Sequence, residues 1–407
     1  MASTPTITAC ASACSPGTTA STITVTARDQ FGNLLVGAAV RDSASPVTGN
    51  VATASASTDG SGAFASTFFS TKAEAKTVAA RINGVAVTQT APVTVSPTVV
   101  DLALSSINAS LPSITACASS CSTFASTAST ITVTVVDTFS NPIPGASISY
   151  FQTGSNNTVT PLSGSTDVNG VFTSTLSSTT AETKSLYGYD SPFGYVANTT
   201  PVNVVVNPAA ASSIAISSGN GQTARVGLGV VTKPTAVVRD AFGNPVPGVL
   251  VTFAGLTGGG SASGTSVSTN ASGLATLGSW TLGGTTADDG IGRMANTIGA
   301  SASGTGTATF TDYGIYTWSG DASPLISTGS VCAGCHAWTY AGIVNVTSSC
   351  GTLKYVVPSN AGTSYIYNKI STSTPSCGSE MPAGGPFYSA AQLKIVRAWI
   401  NNGAQNN

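Results

Sequence analysis

Cys332-Ala333-Gly334-Cys335-His336 is the stretch of this 407-residue chain whose residue types and spacing point to definite chemistry. Two thiols three positions apart can add across the two vinyl groups of a haem, and the imidazole that follows can reach the iron. Cys-x-x-Cys also serves zinc and thiol–disulfide exchange. A zinc site would draw on Cys332, Cys335, Cys350 and Cys377. Structural zinc sites use two close pairs, whereas Cys350 and Cys377 stand 27 positions apart. Thiol exchange calls for a βαβ setting that is absent here. His336 can also be an ordinary surface residue. Haem is favoured among these readings. His336 is the only histidine, so a second imidazole ligand cannot come from this chain. Of Met1, Met294 and Met381, only Met381 lies in the same domain, 45 positions beyond His336, in the turn-rich run Ser-Glu-Met-Pro-Ala-Gly-Gly-Pro. Such a loop suits the presentation of a thioether; the alternative role is core filler. His/Met ligation would fill both axial positions and favour electron transfer over substrate chemistry.

The elements that must position these residues begin near residue 315. Trp318, Trp338 and Trp399 are three of the four tryptophans. Ser389-Ala390-Ala391-Gln392 is a capping-box pattern ahead of apolar Leu393, Val396, Trp399 and Ile400, and Gly403 is a C-terminal stop. CAGCH, EMPAGGPF and SAAQLKIVRAWINNGA, in that order over residues 315–407, resemble a single-haem class I cytochrome c domain. The resemblance implies one covalent haem c held by Cys332 and Cys335, with His336 as proximal and Met381 as distal ligand. It implies an electron carrier, not an enzyme, with a redox partner protein or a neighbouring haem subunit. Trp399 would then pack the last helix toward the haem pocket, or serve generic helix packing. Pro324 and the Ser, Thr and Gly of 315–330 suggest that the family's N-terminal helix is reduced.

Upstream the chain repeats. ITVTARDQFGNLLVGAAV (23–40), ITVTVVDTFSNPIPGASI (131–148) and PTAVVRDAFGNPVPGVLV (234–251) align Asp29, Asp137 and Asp240 at spacings of 108 and 103. Gly62, Gly170 and Gly273, in a second block, keep the same two spacings, so the repeat is secure. Ile131, Val133 and Val135 alternate with threonines at the period of a half-buried strand. The Asp-x-Phe-Gly/Ser-Asn segment reads as a turn. About 100 residues of short strands and frequent turns suit an immunoglobulin-like sandwich. The pattern at 238–248, followed by Ser-Thr-Asp-x-x-Gly, resembles the bacterial Ig-like repeats of invasin and intimin type, which serve as extracellular stalks or spacers. The expected fold is three all-β immunoglobulin-like sandwiches at 1–100, 101–209 and 210–314, then a small mainly α cytochrome c-like domain at 315–407. Turn capping is the expected role of Asp29, Asp137 and Asp240, because no dense carboxylate cluster surrounds them for calcium.

Charged residues make up 7% of the chain and the net charge is −1. No basic surface is available for nucleic acid, and no apolar run approaches the roughly 18 residues of a membrane span. Lys354, Lys369, Lys394 and Arg397 form no lysine ring for steering an acidic partner. Cys10/Cys14 and Cys117/Cys121 recur in matching contexts, ITACASACS and ITACASSCS, and are expected to form two local disulfides. With two thiols assigned to haem by the resemblance, Cys350 and Cys377 remain to pair with each other. Met1-Ala2-Ser3-Thr4-Pro5 carries no signal-peptide features. Disulfides favour a processed periplasmic or extracellular, cell-surface protein. The function expected from these readings is an exported c-type cytochrome for electron transfer, presented on an Ig-like stalk or fibre. The alternative is an adhesin or structural surface-filament subunit, assembling as a homopolymer, in which the haem domain is accessory.

Overall fold

The structure is a computed structural model that describes residues 1–50, 54–197, 200–327 and 338–407. Strand alternation sets its layers. In Ser129–Thr134, Ile131 and Val133 are fully buried while the intervening threonines are half-exposed. The chain divides into two compact units, Met1–Asn207 and Pro208–Asn407. It is multidomain and mostly β.

The first unit holds two sandwiches of one design. In the second repeat, one sheet runs Ser113–Thr115, Val202–Asn207, Thr183–Ser191, Ser147–Gln152, Ser163–Ser165. The facing sheet runs Asn157–Thr160, Val171–Ser178, Ser129–Thr134, Ser106–Ala109. The first repeat has the same larger sheet; among the described residues its facing sheet contains Ser21–Thr26 and Ala63–Phe68. Cys10–Cys14 and Cys117–Cys121 are disulfides, each with Cα atoms 5.9 Å apart. Each closes a loop pinned by the first cysteine's N–H, to Ser70 O in one repeat and Ser178 O in the other.

The second unit contains the third sandwich. Its larger sheet runs Thr223–Arg225, Thr307–Ile315, Arg293–Ser301, Leu250–Ala254, Ser266–Ser268. This repeat lacks the Cys-x3-Cys, and the Gln222 side chain closes the corresponding loop. It donates to Thr232 O at 2.6 Å and accepts from Thr232 N–H at 2.7 Å. Among the described residues, helices are confined to the last part of the chain: a π-helical turn Trp318–Ala322, then Ser323–Ile326, Tyr340–Ile343, Tyr365–Ser371 and Ala390–Asn401. Among the described residues no helix is long and apolar enough to cross a membrane.

Two turn blocks explain the recurrent residues. Asp29, Asp137 and Asp240 each accept, through one carboxylate oxygen, the N–H groups two and four residues on. They cap turns, as their sequence setting implied. Gly62, Gly170 and Gly273 have φ of 66°, 72° and 71°. A Cβ on Gly170 would stand 2.5 Å from Val135 O, whose residue already donates its N–H to Gly170 O. Gly170→Ala is therefore expected to cost about 2–4 kcal/mol, from the left-handed backbone and the clash together. Hydrogen exchange at the Val135 amide reads that loss locally.

Asp190 is 1% exposed, and its Oδ2 has no hydrogen-bond partner. Burial raises its pKa above the ordinary 3.8. Both states are protonated well below pH 3.8, so the penalty is absent there. It grows as pH rises through the unfolded value and is complete above the folded one. Asp190→Asn is expected to stabilise the second sandwich by about 1 kcal/mol at neutral pH, with the gain vanishing below about pH 3. Urea unfolding of both proteins at two pH values checks this.

Candidate functional site

Cys332, Cys335 and His336 lie outside the described residues. The residues expected to work with them are described. Cys350 and Cys377 are joined to each other as a disulfide with Cα atoms 6.2 Å apart, which removes both from the four-cysteine zinc set. Met381 is partly buried, packs against the apolar cluster of this region, and donates its backbone N–H to Lys369 O at 2.8 Å. Lys369 holds the loop that carries Met381: its Nζ donates to Cys377 O at 3.2 Å and to Ser379 O. Lys369 is buried, and burial lowers its pKa.

The cluster is built on the last helix. Ser389 Oγ accepts Gln392 N–H at 3.3 Å and Gln392 Oε1 accepts Ser389 N–H at 2.8 Å, the reciprocal pair of a capping box. Val396, Trp399 and Ile400 are buried against Ile326, Ile343 and Ile366. Trp399 lies 5.0 Å from Trp318, centroid to centroid, and donates Nε1–H to Gln405 O.

The opposite face of that helix meets the third sandwich. Lys394 Nζ donates to Gly284 O and Thr286 O, and Arg397 pairs with Asp288 at 2.8 Å. Burial, then the neighbouring Arg397, lowers the Lys394 pKa against the opposing pull of Asp288. Arg225 grips Asp321 through Nε and Nη2 at 3.0 and 3.1 Å. Lys369, Lys394 and Arg397 read in the sequence as surface charges; they are fasteners.

A second polar joint went unread in the sequence. In the first unit, Asn141 is fully buried. Its Nδ2 donates to Thr71 O at 2.8 Å and to Asp137 Oδ2 at 2.9 Å, while its Oδ1 accepts Ala73 N–H at 2.8 Å. Asp137, also fully buried, accepts the linker N–H of Thr98 at 2.9 Å. Phe139 packs against the core of the first sandwich. Burial opposes ionisation of Asp137, but hydrogen bonds from Asn141, Thr98 and Phe139 outweigh it and hold the pKa below the ordinary carboxylate value. The Asp-x-Phe-x-Asn turn of one repeat thus receives the Thr71–Ala73 loop of the repeat before it. The readable signal was the recurrence of Ser-Thr-x-Ala-Glu at 70–74 and 178–182.

The profile of the bacterial Ig-like domain (group 1) family matches residues 5–96 and 125–187. Those two segments, which together make up less than half of the chain, are similar to that family. Similar solved structures include FdeC, an Escherichia coli adhesin, at 20% identity, covering 72% of this chain and 92% of that one with a TM-score of 0.44. InvD of Yersinia pseudotuberculosis stands at 18% identity, 75% and 94% coverage and a TM-score of 0.45. Invasin, a bacterial integrin-binding protein, stands at 19% identity, 70% and 54% coverage and a TM-score of 0.37. No curated protein sequence matches the chain.

These findings correct the expected function. The family match lies in the Ig-like repeats, and among the described residues no group of three His, Cys, Asp or Glu could hold a metal ion. The electron-carrier reading rested on the haem-attachment motif, the Met381 loop and the C-terminal helix, the three pieces of the cytochrome c resemblance, and the Ig-like repeats lend it nothing. Electron transfer is set aside, together with the redox partner and the neighbouring haem subunit it required.

Proposed function

We propose that this chain is a non-catalytic cell-surface or extracellular module, an adhesin or structural filament subunit whose Ig-like domains act as a spacer. The observation that carries this reading is the Asn141 joint. A buried amide that satisfies groups on two sandwiches fixes one domain against the next, which a spacer needs and a flexible tether lacks. The weak charge of the chain fits a surface that makes contacts by packing. The names of the similar structures, an adhesin and an integrin-binding protein, agree with the same class.

Surface labelling of intact cells with a membrane-impermeant reagent, together with electron microscopy of the purified chain, tests the proposal. Labelling on intact cells is the expected result, with filaments favouring the structural subunit and dispersed particles the adhesin. Protection from the reagent until the cells are lysed contradicts it. One covalent haem c on Cys332 and Cys335, with His336 and Met381 as ligands, accompanies this reading as an accessory group supported by the motif alone. Intact mass and a pyridine haemochrome spectrum test for it; an unmodified mass excludes it.

A further inference from the structure

The larger sheet of the second repeat carries a cluster of aromatic rings on its outward face. Phe151 stands opposite Tyr187 on the neighbouring strand, and Tyr189 stands opposite Tyr195 across the hairpin that follows. Tyr195 sits among the other three, with ring centroids 5.8 Å from Phe151, 5.9 Å from Tyr187 and 5.4 Å from Tyr189. Phe151 and Tyr189 also meet edge to face at 5.8 Å. Phe151 is 51% exposed and Tyr195 38%, with Phe193 of the same hairpin at 50%. Tyr150 and Leu186, at the alternate strand positions, are buried in the sandwich.

The sandwich does not need these rings. By register, the first repeat has Ser43, Ala79, Arg81 and Ala86 where the second has Phe151, Tyr187, Tyr189 and Tyr195. The third has Ala254, Gly299 and Ser301 at the first three of these places. Exposed rings that packing does not require mark a contact surface. The chemistry of this one is narrow. No outward residue of the sheet's described strands carries a charge, whereas the first repeat's face carries Arg41 and Arg81. Hydroxyls and amides surround the rings: Ser149 lies opposite Tyr189, and Ser185 Oγ donates to Asn203 Oδ1 at 2.7 Å. Tyr150 on the buried face spends its hydroxyl on Ile131 O, but among the described residues none bonds those of Tyr187, Tyr189 and Tyr195. Without a cation on the face, ring stacking cannot be joined to phosphate binding, which excludes a nucleic-acid strand.

We propose that this face of the second Ig-like domain is a binding platform for a neutral β-1,4-linked glycan. The equatorial hydroxyls of such a sugar leave an apolar C–H face, which stacks on Phe151 and Tyr195. Its hydroxyl rim bonds to the tyrosine hydroxyls and the Asn203 amide. Charge complementarity selects this occupant. An uncharged ligand gives up no ionic hydration on an uncharged face, whereas an acidic or basic partner would leave its charge unpaired there. Tyrosine suits the task because its ring is rigid and apolar while its tip is polar. Neither the platform nor its ligand depends on the surface-module reading.

Isothermal titration of the full 407-residue chain with cellohexaose and with chitohexaose tests the platform. Binding of at least one of the two is the expected result. Phe151→Ser combined with Tyr187→Ala installs the residue types that the first repeat holds at these places, so the sandwich should stay folded, which thermal unfolding verifies. The double variant should weaken binding at least about tenfold. Arg41→Ser, on the first repeat, should leave it unchanged. Saturation transfer from the aromatic ring protons to the sugar C–H protons reads the same contact in the unaltered chain. Failure of both hexaoses to bind overturns the proposal. So does an affinity that the double variant leaves unchanged, or bound sugar that receives no transfer from the rings. Concentration-dependent self-association that the double variant abolishes also overturns it, since a second copy would then occupy the face.

Discussion

Asn141→Ala unfastens the first two Ig-like domains, with an expected cost of about 2–4 kcal/mol. The substitution removes an amide that makes three hydrogen bonds in a fully buried position. It leaves Thr71 O and Ala73 N–H without that partner on one domain, and it strips one donor from the buried Asp137 carboxylate on the other. Each unpaired buried group carries its own desolvation penalty, so the loss exceeds the net worth of the bonds. Asn33 supplies an internal control. It holds the same place in the first repeat, is exposed, and bonds Asp29 Oδ2 within its own turn at 2.9 Å. Asn33→Ala is expected to cost under about 1 kcal/mol. Equal effects of the two substitutions on exchange at the Ala73 amide would show that Asn141 serves only its turn.

Lys76→Met is the second large effect. Lys76 is 1% exposed, and its Nζ donates to Pro46 O at 3.0 Å, Thr48 O at 2.5 Å and the Glu74 carboxylate. Methionine keeps most of the packing but abandons two carbonyls and a carboxylate, for an expected loss of about 3 kcal/mol. The pH dependence gives a separate signature. The hydrogen bond from Lys76, then that from Thr48, holds the Glu74 pKa below its ordinary 4.5. A depressed carboxylate pKa contributes stability that is fully present above the unfolded value and lost as pH falls through the folded one. The first sandwich should therefore weaken as pH drops below about 4.5, and Lys76→Met should flatten that slope while lowering the plateau. Exchange rates of first-repeat amides between pH 3 and 6, corrected for intrinsic pH dependence, check both features. Lys184, fully buried and 2.6 Å from Glu182, repeats the arrangement in the second sandwich.

The turn blocks were legible in the sequence because their physics is local. Asp137 caps N–H groups two and four residues ahead, and Gly170 is required by the backbone angle of its own turn. The joint was not legible, because Asn141 bonds to residues about seventy positions away in another repeat, and an asparagine after Phe-Ser reads equally well as a turn residue. The buried lysines were missed for a related reason. Lysine is ordinarily a surface residue, and only the recurrence of Ala-Glu-x-Lys at 73–76 and 181–184 hinted at a shared role. At the C-terminal end the capping box at Ser389 and Gln392 was readable from spacing alone. The internal partners of Lys394 and Arg397 lie more than one hundred positions upstream, so these two residues looked like free charge. Function was the least legible feature: Cys-x-x-Cys-His suggested chemistry for the whole chain when the Ig-like repeats determine most of its structure.

A fixed joint between the first two Ig-like domains is the physical basis of the spacer reading, and pulsed electron–electron distance measurement tests it most directly. Spin labels at Val85→Cys and Val168→Cys occupy exposed positions, one on each domain. A single narrow distance distribution is expected, broadened when Asn141→Ala is added. A broad distribution in the otherwise unaltered chain would contradict the fixed joint and the spacer function built on it.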